Sequence, residues 1–254
     1  MHLNLISCWF DNYIKSFEVS GELPQMLSLK EGHSHRVAEL SVTITKSAGL
    51  NDETSLWIAH FIGLLHDVGR FVQYSKFQTF QDSVSIDHGD AAIEILEKNF
   101  DWSEVPVVVK ENTLLAIKYH NKKDLPDSLS PQALFWAKVI RDADKVDIFR
   151  MIQSRIDNGT IYDMLPRHKK VSGLSSVLVE EVRHTFKGSY TNAKSLQDYR
   201  LIQMTWGIDL NFPYSVSLLY SEGIFKRIIE DLDEFGIGDI TDLLLNKIID
   251  KIKK

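Results

Sequence analysis

The sequence contains a single cysteine, Cys8, among its 254 residues. An intramolecular disulfide is therefore excluded, and a reducing compartment fits best. The chain also lacks any apolar run long enough to cross a bilayer. Its first residues have neither the basic region nor the long apolar core of a signal peptide. We therefore expect a soluble, cytoplasmic protein that has no membrane partner.

An excess of positive charge is also missing. The chain has 29 Lys and Arg against 35 Asp and Glu, which gives a formal net charge of -6. Proteins that bind nucleic acid in bulk normally present a basic surface, so we expect no such partner here. With 44% hydrophobic and 25% charged residues, the composition is that of a globular protein with a sizeable core.

Strand-like alternation is scarce, and apolar residues recur at helical spacing instead. The sequence therefore predicts an all-α fold. The stretch 72–87 is polar and irregular, and we expect a loop there that covers the end of a central helix. Helices are predicted over residues 1–20, from about 31 to 49, 53–66, from 88 past 96, 106–120, from 131 to before 159, 173–186, 194–207, 214–235 and 239–252.

The segment Ile62–Phe71 ends an apolar run with adjacent His66 and Asp67, followed by Gly69 and Arg70. Imidazole and carboxylate are common ligands of first-row divalent metals. An unpaired charge at the end of a buried helix would cost several kcal/mol, which favours a bound partner. The alternative is a polar helix tip for which Gly69 is the stop signal.

Further histidines and aspartates lie at or near the ends of other predicted helices. Helices that pack side by side can bring such ends into one cleft, as in the metal sites of helical bundles. Two divalent ions held there could clamp a phosphoryl group and activate a water. The candidate metal ligands are His33, His66, Asp67, His88, His120 and Asp144.

The order of these motifs resembles that of the HD superfamily of metal-dependent phosphohydrolases. The matching elements are His33 with Arg36-Val37, the segment His66–Arg70, and the segment Asp142–Asp147. The resemblance spans about residues 30–150 and implies an HD-type helical bundle. We accordingly expect a single all-α domain over 1–254, with this core and a helical extension over about 160–254. The resemblance implies a metal held by His33, His66, Asp67 and Asp144.

His88 and His120 extend the match to binuclear members of the superfamily, including the HD-GYP phosphodiesterases. The match also has departures: Asn121 stands where that subfamily has a second paired histidine, Arg70 stands where it has lysine, and no Gly-Tyr-Pro follows. The resemblance therefore implies two metal ions rather than three, and cyclic di-GMP should not be assumed as the substrate. Both histidines also have interpretations without a metal. His88 is then an ordinary residue of the first turn of a helix, and His120 lies at the end of a helix, where a cationic side chain is favourable.

Two ligand positions have competitors nearby in the chain. His33 and His35 share a helix, and the spacing to Arg36 favours His33. The superfamily pattern favours Asp144 over its neighbours. Asp147 is then expected to orient a ligand, while Asp142 is either a solvated helix residue or a helper.

The function implied is hydrolysis of a nucleotide or other small phosphate ester by a metal-activated water. Asp67 and Arg70 are the predicted catalytic residues: Asp67 bridges two ions, and Arg70 stabilises charge on the phosphoryl oxygens. Arg70, Lys145 and Arg36 are the candidate substrate-binding residues. The imidazole-rich ligand set favours Mn, Fe, Co, Ni or Zn over Mg.

Other functions share much of this ligand set. One is a single-metal nucleotidase that uses only the four minimal ligands. Another is a nucleotide-binding sensor or interaction module without turnover, and a third is an HD oxygenase. Retention of all four minimal ligands argues against a binding module, and phosphohydrolysis is favoured by analogy at the level of the fold.

Overall fold

The computed structural model describes residues 3–165 and 171–253. Within these ranges the chain is helical and contains no strand; an isolated bridge joins Val19 and Glu22. The predicted all-α fold class is therefore confirmed. The helices are α1 (Leu3–Lys15), α2 (Gln25–Ser47), α3 (Glu53–Leu65), α4 (Val68–Phe77), α5 (His88–Asn99), α6 (Val107–Tyr119), α7 (Pro131–Asp157), α8 (Ile161–Met164), α9 (Ser176–Thr185), α10 (Leu196–Asp209), α11 (Pro213–Ser221), α12 (Ile224–Glu230) and α13 (Gly238–Ile249).

Several predicted boundaries are wrong. The helix predicted over 1–20 ends at Lys15, and the one predicted over 214–235 is divided into α11 and α12, between which Gly223 has a positive φ of 71°. Helix α2 starts at Gln25, directly after Pro24, because buried Leu27 anchors its first turn to the core. The predicted loop over 72–87 is helical up to Phe77, where α4 ends. Gln73 is one of the polar residues that suggested a loop there, but its amide is buried and donates to the backbone and side chains of residues 82–86.

The chain divides into two compact units, Met1–Asp144 and Lys145–Lys254. The predicted organisation as one domain with a helical extension stays a prediction. Residues 166–170 and 254 of that extension lie outside the described residues. No helix in the described part of the chain is long and apolar enough to span a membrane.

Helix α3 is the centre of the first unit and is buried on nearly every face. Asp52 caps its first turn by accepting a hydrogen bond from the Ser55 N–H. A Cβ atom at Gly63 would lie 2.5 Å from the Cα of Ala38 in α2. The backbones of α2 and α3 are therefore in contact, and this contact is compatible only with glycine at that position.

Helix α4 approaches α5 in the same way. A Cβ atom at Gly69 would lie 2.1 Å from the carbonyl oxygen of His88. Gly69 belongs to the first turn of α4, so the alternative in which it acts as a helix stop is wrong. The close contact places the first residue of α5 beside the junction between α3 and α4.

The second unit has its own apolar core, in which the rings of Phe149, Trp206 and Phe225 pack edge to face. Helix α10 begins with a capping box formed by Ser195 and Asp198. This local signal favours a helix at the position where one was predicted over 194–207.

Candidate metal centre

The predicted metal ligands converge in the first unit. They lie at or near helix ends or along a helix: one in α2, two at the α3–α4 junction, one at the start of α5, one just after α6 and one in α7. Except for Asp144, these side chains are almost completely buried. The residues brought together are His33, His66, Asp67, His88, His120 and Asp144.

Asp67 lies at the centre, and each of its oxygens faces a different pair of imidazoles. Its Oδ2 lies 3.7 Å from His33 Nε2 and 3.6 Å from His66 Nε2. Its Oδ1 lies 3.4 Å from His88 Nε2 and 3.7 Å from His120 Nε2. The carboxylate therefore divides the site into two halves.

Each half contains enough donor atoms for an ion. In the first half, Asp144 Oδ1 lies 3.1 Å from His33 Nε2 and 3.9 Å from His66 Nε2, so these three groups can hold a metal. The second half offers Oδ1 of Asp67, His88 and His120, and a further group that can hold a metal, His66, Asp67 and His120, spans the two halves. The Nε2 atom of His88 lies 3.0 Å from that of His120.

The imidazoles are oriented by hydrogen bonds from their other ring nitrogens. With Nδ1 protonated, His66 donates to the carbonyl of Gly63 at 2.8 Å, and His120 donates to that of Ile117 at 2.6 Å. Their Nε2 atoms are then unprotonated and point into the site, as in metal-binding histidines. His66 Nε2 is buried and has no hydrogen-bond partner among the described residues. An inward-facing lone pair of this kind fits a metal ion.

The protonation states also fit. Burial lowers the pKa of His66 to about 3, so its imidazole is neutral. Burial opposes ionisation of Asp67, but the ammonium of Lys30 lowers its pKa far below the ordinary value. For Asp144, burial likewise opposes ionisation, but the contact with His33 at 3.1 Å lowers the pKa. Neutral imidazoles and ionised carboxylates are the forms that bind metals.

Comparison with protein families matches residues 31–148 to the HD domain. These residues form an HD domain. The match confirms the resemblance to the superfamily of metal-dependent phosphohydrolases, whose members are in general hydrolases that bind divalent metals. No curated protein and no solved structure matches the chain. The role of each residue as a ligand stays a prediction that the geometry supports.

Sequence reasoning missed Asp82, a residue of the HD domain that lies behind His88. Its carboxylate accepts a hydrogen bond from His88 Nδ1 at 2.7 Å. It also accepts from Arg70 Nη1 at 2.8 Å, Gln73 Nε2 at 2.9 Å and Asn121 Nδ2 at 3.1 Å. Burial opposes ionisation of Asp82, but His88 and Arg70 lower its pKa. A carboxylate that orients an imidazole from behind is common at metal sites.

Asn121, which stands in place of a second paired histidine, supports its neighbours. Its amide donates to Asp82 and, at 3.0 Å, to Asp87, the residue that caps α5. The side chain thus ties the end of α6 to the start of α5.

No sequence motif distinguishes Asp82 from the other polar residues of its stretch, because only the reversal of the chain after α4 brings it to the site.

Arg70 is held in place by several acceptors. Its Nη1 donates to Gln73 Oε1 at 2.8 Å, to the carbonyl of Phe80 at 2.5 Å and to Asp82 at 2.8 Å. Its Nε lies 3.6 Å from Asp67 Oδ1. The guanidinium therefore adds positive charge next to Asp67 while it fixes the segment that carries Asp82.

The other two predicted substrate-binding residues lie in different surroundings. Arg36 is exposed on α2, and its Nη1 lies close to Gly32. Lys145 follows Asp144 in α7, is partly exposed and is the first residue of the second unit. Their contact with a substrate stays a prediction.

A second residue that sequence reasoning missed is Lys30. Its Nζ lies 2.7 Å from Asp67 Oδ2 and 5.6 Å from the centre of the Phe80 ring. The available signal was its spacing: Lys30 precedes His33 by three residues in α2, so both lie on one helix face.

The structure partly decides which of the neighbouring histidines and aspartates occupy the two contested ligand positions. His35 is exposed, and its ring packs edge-on against Phe10, so His33 alone of the two enters the cluster. Asp142 is fully buried, so its interpretation as a solvated helix residue is wrong. Asp147 is also buried but belongs to the second unit, and its predicted orienting role stays a prediction.

Proposed function

We propose that this HD domain is a phosphohydrolase that uses two divalent cations and acts on a small phosphate ester such as a nucleotide. The observation that carries the proposal is the division of the Asp67 carboxylate. Each of its oxygens faces two imidazole Nε2 atoms, at 3.4 to 3.7 Å. One carboxylate between two sets of donors is an arrangement that suits a binuclear site.

Cations bound there would supply an activated water and neutralise charge on the phosphoryl oxygens. His33 and Asp144 complete the half that faces Oδ2, and His88 and His120 complete the half that faces Oδ1. Because His66 is kept neutral by burial, it needs no deprotonation before it binds an ion. Imidazole-rich donors favour Mn, Fe, Co, Ni or Zn over Mg.

The reaction needs no side-chain nucleophile. Asp82 holds His88 in one orientation, and the fixed guanidinium of Arg70 adds positive charge beside Asp67. Positive charge placed before the reaction stabilises the negative charge that builds on the phosphoryl group. Asp144 is 21% and Lys30 23% exposed, whereas His66 is completely buried. We infer that a substrate enters from the side of Asp144 and Lys30.

The test combines metal analysis of the purified full chain with a screen of nucleotides and phosphodiesters in Mn²⁺, Co²⁺, Ni²⁺ and Mg²⁺. We expect a bound transition metal and hydrolysis of at least one class of ester. Asp67→Asn keeps the shape of the side chain and should lose both. Asp11→Asn, in an exposed position of α1, is the matched control and should lose neither.

Full activity of Asp67→Asn would contradict the mechanism. Tight nucleotide binding by a metal-loaded protein that hydrolyses no ester would instead favour a sensor without turnover.

A further inference from the structure

Lys30 contacts the same carboxylate oxygen that one of the cations would need. Its ammonium lies 2.7 Å from Asp67 Oδ2, the oxygen that faces His33 and His66. Asp67 is 3% exposed, so this contact neutralises an almost fully buried negative charge. The ammonium and a divalent cation are therefore competitors for one atom.

The two positive charges cannot share that oxygen without strong repulsion, because the surroundings are largely desolvated. Lys30 has a long, flexible side chain, so its ammonium can leave Asp67 by rotation of its own bonds. The ring of Phe80, 5.6 Å from Nζ, attracts the ammonium. The Lys30 side chain is 23% exposed, so the ammonium can remain solvated after it leaves Asp67.

The other nearby cation is less able to move. Nη1 of Arg70 already donates to Gln73, Phe80 and Asp82. An ammonium has three N–H donors and binds phosphate as a point charge. Of these two cations, Lys30 is thus the one that can follow an incoming phosphate.

We propose that Lys30 is an exchangeable counter-ion that gives up Asp67 to a divalent cation and then binds the phosphate of the substrate. This inference rests on the proposed function, since it assumes both the cation and the phosphate. It has two consequences of opposite sign. Removal of the Lys30 charge should strengthen cation binding and weaken phosphate binding, whereas a merely structural role would not separate the two.

The test uses the full chain with Lys30→Met, which keeps most of the aliphatic stem but not the charge. Lys46→Met is the matched control, because Lys46 is an exposed lysine in the last turn of the same helix. Isothermal titration measures the affinity for Mn²⁺ and then the affinity of the Mn²⁺-loaded protein for inorganic phosphate. We expect Lys30→Met to bind Mn²⁺ about tenfold more tightly and phosphate about tenfold more weakly, which is a change of about 1.4 kcal/mol each.

Lys30→Arg keeps the charge and should stay close to the wild type in both titrations. Equal or weaker Mn²⁺ binding by folded Lys30→Met would overturn the competition, and unchanged phosphate binding would overturn the second role. If Lys30→Met does not fold by circular dichroism, Lys30→Gln provides the same comparison.

The two proposals fail in different ways. A wild type that binds Mn²⁺ and phosphate but hydrolyses no ester would refute the proposed function and leave the exchange intact. A wild type that hydrolyses esters, with a Lys30→Met variant indistinguishable from Lys46→Met, would refute the exchange alone. A wild type that binds no divalent cation would refute both.

Discussion

Replacement of Asp82 by Asn tests whether the support behind His88 matters for metal binding. The carboxylate accepts four hydrogen bonds, from His88, Arg70, Gln73 and Asn121. Asparagine has nearly the same shape but converts one acceptor oxygen into an NH₂ donor. The new NH₂ group would face the N–H donors that now bind the carboxylate. The Nδ1 proton of His88 would also lose its negatively charged acceptor. The proton could then move to Nε2, where it blocks the lone pair that faces the site.

The size of the effect follows from comparable partners of metal-binding histidines, whose removal typically costs 10- to 100-fold in affinity. This range corresponds to about 1.4 to 2.7 kcal/mol. Asp82 is 30% exposed, so water compensates part of the loss. We therefore expect the lower end, a Mn²⁺ affinity reduced about tenfold.

Isothermal titration with Mn²⁺ provides the measurement, with Asp11→Asn as the control for a general loss of negative charge. A circular dichroism spectrum unchanged from the wild type shows that the fold is intact. If folded Asp82→Asn bound Mn²⁺ as tightly as the wild type, the argument that Asp82 orients His88 would be refuted.

Gly69→Ala should destabilise the protein by about 3 kcal/mol in urea unfolding, because its Cβ would lie 2.1 Å from the backbone carbonyl of His88. Gly238→Ala, where nothing lies within 4 Å, should cost nothing, and equal stability of the two variants would contradict this reasoning. Ser195→Ala removes the cap of α10 and should cost about 1 to 2 kcal/mol in the same assay; a loss below about 0.3 kcal/mol would show that the cap contributes little. A chelator should lower the melting temperature of the Mn²⁺-loaded wild type but not that of Asp67→Asn, since an ion that binds only the folded protein stabilises it. Equal shifts in both proteins would place the stabilising ion elsewhere.

The helices were predictable because their signals are local. Apolar residues at a spacing of 3.6, Asp52 and Asp87 as N-caps, and glycine after α2 all act within one or two turns. The failure at residues 72–77 has the same origin. A polar residue such as Gln73 suggests solvent unless the partners of its side chain are known, and the acceptors of its amide N–H groups lie nine or more residues further along the chain.

The candidate site was predictable to the extent that its residues belong to motifs. His33, the His66-Asp67 pair and Asp144 follow a recognisable order, and the family match covers all of them. Lys30 and Asp82 belong to no motif, although both contact residues of the cluster directly. Lys30 shares a helix face with His33, so spacing was a signal for it, whereas Asp82 reaches the site through packing that no local pattern encodes.

The sequence by itself determined the all-helical class and the chemistry of the donor groups, because residue type and periodicity are properties of short segments. Only the tertiary structure decided which oxygen of Asp67 faces which imidazoles, and which cation contacts it. Those relations depend on the backbone contact of α2 with α3 at Gly63 and of α4 with α5 at Gly69. Such contacts join residues distant in the chain and arise when the core packs as a whole.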